Sequence, residues 1–123
     1  MRVLVSFERE YRVYMEAIAS AIRHSDIPVA VTDAEELEAE VGRFVPQLII
    51  TSLPVPENLV DEQLARIELS PDTAQPSRFR VGERHWESTN PTLSEILSVV
   101  DETKRVRGLT REKERTDVDE EEV

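Results

Sequence analysis

Pro46-Gln47-Leu48-Ile49-Ile50-Thr51-Ser52 is a proline-led apolar run, and its reading decides the fold. A short continuous stretch of this kind predicts a strand buried on both faces, the habit of a central strand in a parallel sheet. Two similar runs precede it. Val3-Leu4-Val5 predicts a first strand, and Ile27-Pro28-Val29-Ala30-Val31 a second, with its proline near the start, where a ladder tolerates one. Helical patterns fill both gaps. Tyr11, Tyr14, Met15, Ile18, Ala21 and Ile22 recur at spacings of three and four, leaving Arg9, Arg12, Glu16 and Arg23 for water. Thr32 with Glu35, or Asp33 with Glu36, offers a capping box for a second helix. Ala34, Leu37 and Val41 continue its inward stripe, and Gly42 offers a stop. A β-α-β-α-β alternation implies a parallel sheet with right-handed crossovers.

The second half departs from that rhythm. After Pro54 and Pro56 there is room for about two helical turns, over residues 57–63. Ala65-Arg66-Ile67-Glu68-Leu69 alternates apolar and charged, which predicts an edge strand with one wet face. The connection from Ser70 to Ser77 is too short for a helical crossover, so the next strand is expected to run antiparallel. Residues 78–88 read as a hairpin about Gly82-Glu83, a two-residue type II′ turn. That turn sets Val81 opposite Arg84, Arg80 opposite His85, Phe79 opposite Trp86 and Arg78 opposite Glu87. Thr92 with Glu95 makes another capping box and starts a last helix with Leu93, Ile96, Leu97, Val100 and Thr103 facing inward. This helix is expected to fray before Gly108.

Charge is unevenly placed. Residues 1–103 carry 9 basic and 19 acidic side chains. Residues 104–115 carry 6 basic and 2 acidic ones, and residues 116–123 carry 5 acidic and none basic. A body this acidic repels phosphate backbones, which argues against nucleic acid as the partner. No run is long enough to span a bilayer, and no signal-peptide pattern opens the chain, so the expectation is a cytoplasmic protein with no membrane partner. The absence of cysteine excludes disulfides, thiolate zinc sites and cysteine nucleophiles. With glycine only at 42, 82 and 108, neither a dinucleotide fingerprint nor a P-loop can be built. Residues 107–123 are expected to form a charged, disordered tail beyond a domain at 1–106.

The order of elements over residues 1–52, with the strand 46–52 and prolines 54 and 56 close behind it, resembles the first half of a response-regulator receiver domain, a flavodoxin-like phosphoacceptor module. The resemblance implies an α/β, receiver-like three-layer sandwich, here ending in an edge strand, an antiparallel hairpin and a C-terminal helix. It also implies where phosphorylation chemistry would sit. The receiver's magnesium-binding acidic pair falls on Ser6 and Phe7, and its phosphoacceptor on Ser52, while its lysine has no counterpart before Lys104. Magnesium needs carboxylate oxygens, which Ser6 and Phe7 lack. The resemblance is therefore to a degenerate, or pseudo-receiver, domain not phosphorylated on aspartate.

Two sets of candidate residues follow. In an open α/β sheet, ligands sit beyond the C-terminal ends of the parallel strands, here Ser6, Glu8, Asp33 and Ser52. The plainer role for these side chains is to cap a helix and satisfy loop backbone. The hairpin offers Phe79, His85 and Trp86 as an interaction surface. His24 and His85 have no ligand partner at metal spacing, so no metal is expected, nor a cofactor or catalytic residue. The leading expectation is a non-catalytic interaction or signalling-adaptor module, binding a protein partner or itself as a homodimer. The alternatives are a small polar ligand protein or minor enzyme using the strand ends, and a domain that merely carries a functional tail.

Overall fold

The structure is a computed structural model of the 123-residue chain. It describes residues 1–52, 54–59 and 64–122, with the side chains of 108–122 left aside. The chain forms an α/β fold: a six-stranded mixed sheet with one helix on one face and two on the other.

Strands β1 (Val3–Phe7), β2 (Val29–Asp33) and β3 (Leu48–Thr51) are the three apolar runs. They pair parallel in the order β2-β1-β3. β1 and β3 are buried along their whole length, as continuous apolar strands flanked by strands and covered on both faces must be. Each fully buried Ile or Leu contributes about 1.5–3 kcal/mol relative to an exposed one.

Helix α1 (Arg12–Arg23) follows a 3₁₀ turn at Arg9–Tyr11 and buries Met15, Ile18, Ala19 and Ile22. The predicted stripe is thus rotated slightly. Ala19, not Ala21, is fully buried, and Tyr14 is 69% exposed beside Val13 at 81%. Helix α2 (Leu37–Phe44) covers the other face, where Leu37 joins Leu4, Ile49, Val55 and Leu64 in a second core. Neither predicted capping box forms there. Asp33 makes no side-chain cap, a 3₁₀ turn at Ala34–Glu36 leads into the helix, and Asp33 pairs with Arg9 instead. Nor does Gly42 stop α2, which ends at Val45 in the left-handed conformation with φ 50°.

Strand β4 (Ala65–Glu68) pairs parallel with β3 and antiparallel with β5 (Pro76–Val81), so it is an interior strand and not the expected edge. Its alternation has another cause: Ala65 and Ile67 enter the larger core, while Arg66 and Glu68 on the other face are only partly buried. β5 and β6 (Arg84–Thr89) form the predicted hairpin in the predicted register, completing the order β2-β1-β3-β4-β5-β6. Gly82 has φ +61° and Glu83 is not among the positive-φ residues, as a type II′ turn requires.

Helix α3 (Leu93–Glu122) packs beside α1, with Ile96, Val99, Val100 and Thr103 buried. Half of the predicted capping box forms at its start: the Glu95 N–H donates to Thr92 Oγ1 at 3.2 Å, while the Glu95 carboxylate accepts the Ser88 hydroxyl at 2.9 Å. The helical trace continues past Gly108, where a fray was expected. The side chains of the expected tail beyond Arg107, and residues 60–63 of the expected short helix, lie outside the described residues; residues 57–59 form a 3₁₀ turn.

Candidate functional site

The strand-end candidates do not converge on one site. Ser6 faces the α2 side of the sheet, in register with Thr32 of β2 and Thr51 of β3, and all three residues are buried. The Ser6 hydroxyl is fully enclosed and has no hydrogen-bond partner. Ser52, one residue beyond β3, accepts a hydrogen bond from the Glu8 N–H at 2.9 Å and so ties the ends of β3 and β1 together. Glu8 and Asp33 instead border an open cleft of about 530 Å³ with Arg9, Glu10 and Glu35. Asp33 is engaged there by Arg9 at 3.4 Å. Among the described residues no three His, Asp or Glu side chains gather where a metal ion could bind.

A second cavity, of about 380 Å³, opens at the C-terminal ends of β1, β3 and β4, between α1 and the start of α3. Phe7, Tyr11, Tyr14, Ser52, Leu69 and Leu93 are among its lining residues. Its walls are largely apolar. Partial desolvation, followed by the nearby carboxylates of Glu10 and Glu8, pushes the Tyr11 phenol above its ordinary value. Tyr11 therefore stays a neutral hydroxyl, able to donate, at physiological pH.

The hairpin candidates part company across the sheet. Phe79 is only 2% exposed and belongs to the core. Trp86 stacks on it with ring centroids 5.3 Å apart and planes at 8°. The Arg84 guanidinium covers Trp86 at 5.0 Å and pairs with Glu102 of α3, fastening the hairpin to that helix. Trp86 is half-buried, whereas His85 lies on the opposite face and is exposed.

That opposite face carries charges in two ordered rows. In one, Arg66 of β4 stands opposite Arg80 of β5, and Arg80 opposite His85 of β6. In the other, Glu68 stands opposite Arg78, and Arg78 opposite Glu87. Together they line a shallow trough of about 350 Å³. The Glu68 carboxylate is turned aside to accept the Val55 N–H at 2.6 Å. Among the described residues no ion pair involves Arg66, Arg78 or Arg80, so the predicted Arg78–Glu87 juxtaposition is one of register and not of contact. Arg66 was absent from the sequence candidates. Its signal was the alternation of Arg66 and Glu68, matched by Arg78 and Arg80, which becomes a patch only once β4 and β5 are paired.

Among the described residues no strand pairs with the outer edge of β6. The N–H groups of Ala65 and Leu69 donate to β3, so by alternation Arg66 and Glu68 turn their backbone groups to β5. Arg78 and Arg80 then bond β4, Phe79 and Val81 bond β6, and His85, Glu87 and Thr89 direct their backbone groups outward.

No protein-family model, curated protein or solved structure matches this chain. Among the described residues, no helix is long and apolar enough to cross a membrane.

Proposed function

We propose that this chain is a non-catalytic interaction module of pseudo-receiver type, and that its contact surface is the free edge and uncovered face of the β5–β6 hairpin. The observation that carries the reading is the outer edge of β6, unpaired among the described residues, whose outward backbone groups adjoin the charged trough of β4–β6. An unpaired strand edge is a template for another chain unless it is blocked. The parallel order β2-β1-β3-β4 supports a receiver-like scaffold, and the antiparallel hairpin departs from it. At the positions matching the receiver's phosphorylation site, Ser52 is engaged with the Glu8 backbone and Ser6 is buried, which supports a role without aspartyl phosphorylation.

Site-specific photo-cross-linking in the native host tests this. A cross-linking side chain at Thr89 is expected to capture protein, and one at Glu36, near the opposite sheet edge, is not. Equal capture at the two positions overturns the reading.

A second reading, a small-ligand protein, rests on the 380 Å³ cavity at the strand ends. Its largely apolar walls favour a ligand with a substantial apolar part and a hydroxyl or carbonyl able to reach Tyr11 or Ser52. A ligand that raises the melting temperature of the wild type but not of Tyr11→Phe would support it.

A further inference from the structure

We infer that the occupant of the β6 edge is a second copy of this chain, paired antiparallel about a twofold axis at Trp86. The inference rests on the interaction-module reading and names its partner. A twofold axis perpendicular to the sheet keeps each face on its own side. Residues brought opposite each other must therefore share a face, and three registers use the middle of the strand. An axis at His85 sets His85 against itself, and an axis at Glu87 sets two carboxylates against each other, which is destabilising. An axis at Trp86 sets His85 against Glu87 of the second copy, and Glu87 against its His85.

Backbone geometry agrees with this choice. His85 and Glu87 carry the outward N–H and C=O groups, so each His85–Glu87 pair can exchange both backbone hydrogen bonds. Trp86 then falls at a non-hydrogen-bonded pair, where side chains approach most closely. The two half-buried indoles meet over the Phe79 core, with Arg84 opposite Ser88 of the second copy. The rows continue across the junction with complementary charge. The row Arg66–Arg80–His85 runs into Glu87, Arg78 and Glu68 of the second copy, and the converse holds on the other side of the axis. The charges that keep other strands off this edge admit its own copy in one register.

Pairing through one strand buries less than a standard interface of roughly 1,200–2,000 Å², so a weak dimer is expected, to be measured at up to about 1 mM protein. Sedimentation velocity should show concentration-dependent dimerisation. Because Trp86 is the only tryptophan, its emission should change along the same curve. His85→Glu should weaken the dimer by about tenfold or more, since it places two carboxylates opposite each other at two symmetric positions, and Glu87→Arg should weaken it by removing the carboxylate that faces His85. The double variant should recover to within about threefold of wild type, because the introduced carboxylate and guanidinium then face each other. Circular dichroism melting monitors folding throughout. As a register test that does not depend on charge, Trp86→Cys in this cysteine-free chain should form an intermolecular disulfide on mild oxidation. A wild type that stays monomeric at 1 mM, or a dimer indifferent to both charge reversals, overturns the inference. In the monomeric case, continued capture of a different protein through Thr89 would leave the interaction-module reading standing, whereas no capture would remove both.

Discussion

Arg66 and Arg80 stand directly opposite each other on neighbouring strands, two guanidinium groups at one rung of the β4–β5 ladder with no ion-pair partner among the described residues. Like charges at such a rung repel, and His85 on the far side of Arg80 brings no carboxylate to relieve them. Arg80→Glu converts the rung to an attractive pair and should raise stability by about 0.5 kcal/mol in urea unfolding at low salt. The gain should shrink at high salt, where exposed charges are screened. A loss of stability would mean that Arg80 has a favourable role in the fold.

Val45 closes α2 in the left-handed conformation, with φ 50° and 58% of its surface exposed. A β-branched residue is poorly suited to that region, and this one has little burial to offset the cost. Val45→Gly should stabilise the protein by about 1 kcal/mol, and Val45→Asn by somewhat less. Chemical denaturation of the three proteins checks both the sign and the order.

Ser6 and Ser52 make opposite predictions from the same functional group. Ser6 Oγ is buried without a partner, so Ser6→Ala should be neutral or stabilising by about 1 kcal/mol. Ser52 Oγ accepts the Glu8 N–H, so Ser52→Ala should cost about 1 kcal/mol. If Ser6→Ala were the costlier change, its hydroxyl would have a partner in solution.

Tyr11 sets a pH dependence of known sign. Its phenol is raised in the folded state by partial desolvation and by the carboxylates of Glu10 and Glu8, so folding favours the neutral form. The associated stability is fully present below the ordinary phenol value of about 10 and is lost as pH climbs through the higher folded value. In a Tyr14→Phe variant, which leaves Tyr11 as the only tyrosine, absorbance titration should show ionisation above about 10 in the folded protein and near it in urea.

Local chemistry carried much of this fold. Two continuous apolar runs specified the central parallel strands β1 and β3, because a strand with no polar face has nowhere to go but between two covered faces, whereas the similar run of β2 lies at the sheet edge and is mostly half-buried. Gly82-Glu83 specified the hairpin and its whole register, because a two-residue turn leaves one way to pair the strands it joins. The absence of an acidic pair at Ser6 and Phe7, and of a glycine-rich loop, was equally plain, since such sites require particular side chains at particular places.

Other features were decided by tertiary structure. Whether Ala65–Glu68 was an edge or an interior strand depended on what lay beside it, and a charged alternation is the same for both. The sequence offered Asp33 as a helix cap or a strand-end ligand contact, and the fold brings Arg9 within 3.4 Å of it while its side chain makes no cap. The hairpin register made Phe79 and Trp86 neighbours, but only the packing of the larger core and α3 against that face buried Phe79 and left Trp86 half-covered. The cross-strand row was invisible for the same reason. Arg66, Arg80 and His85 are scattered along the chain, and a sheet makes neighbours of residues by register, which no single segment contains.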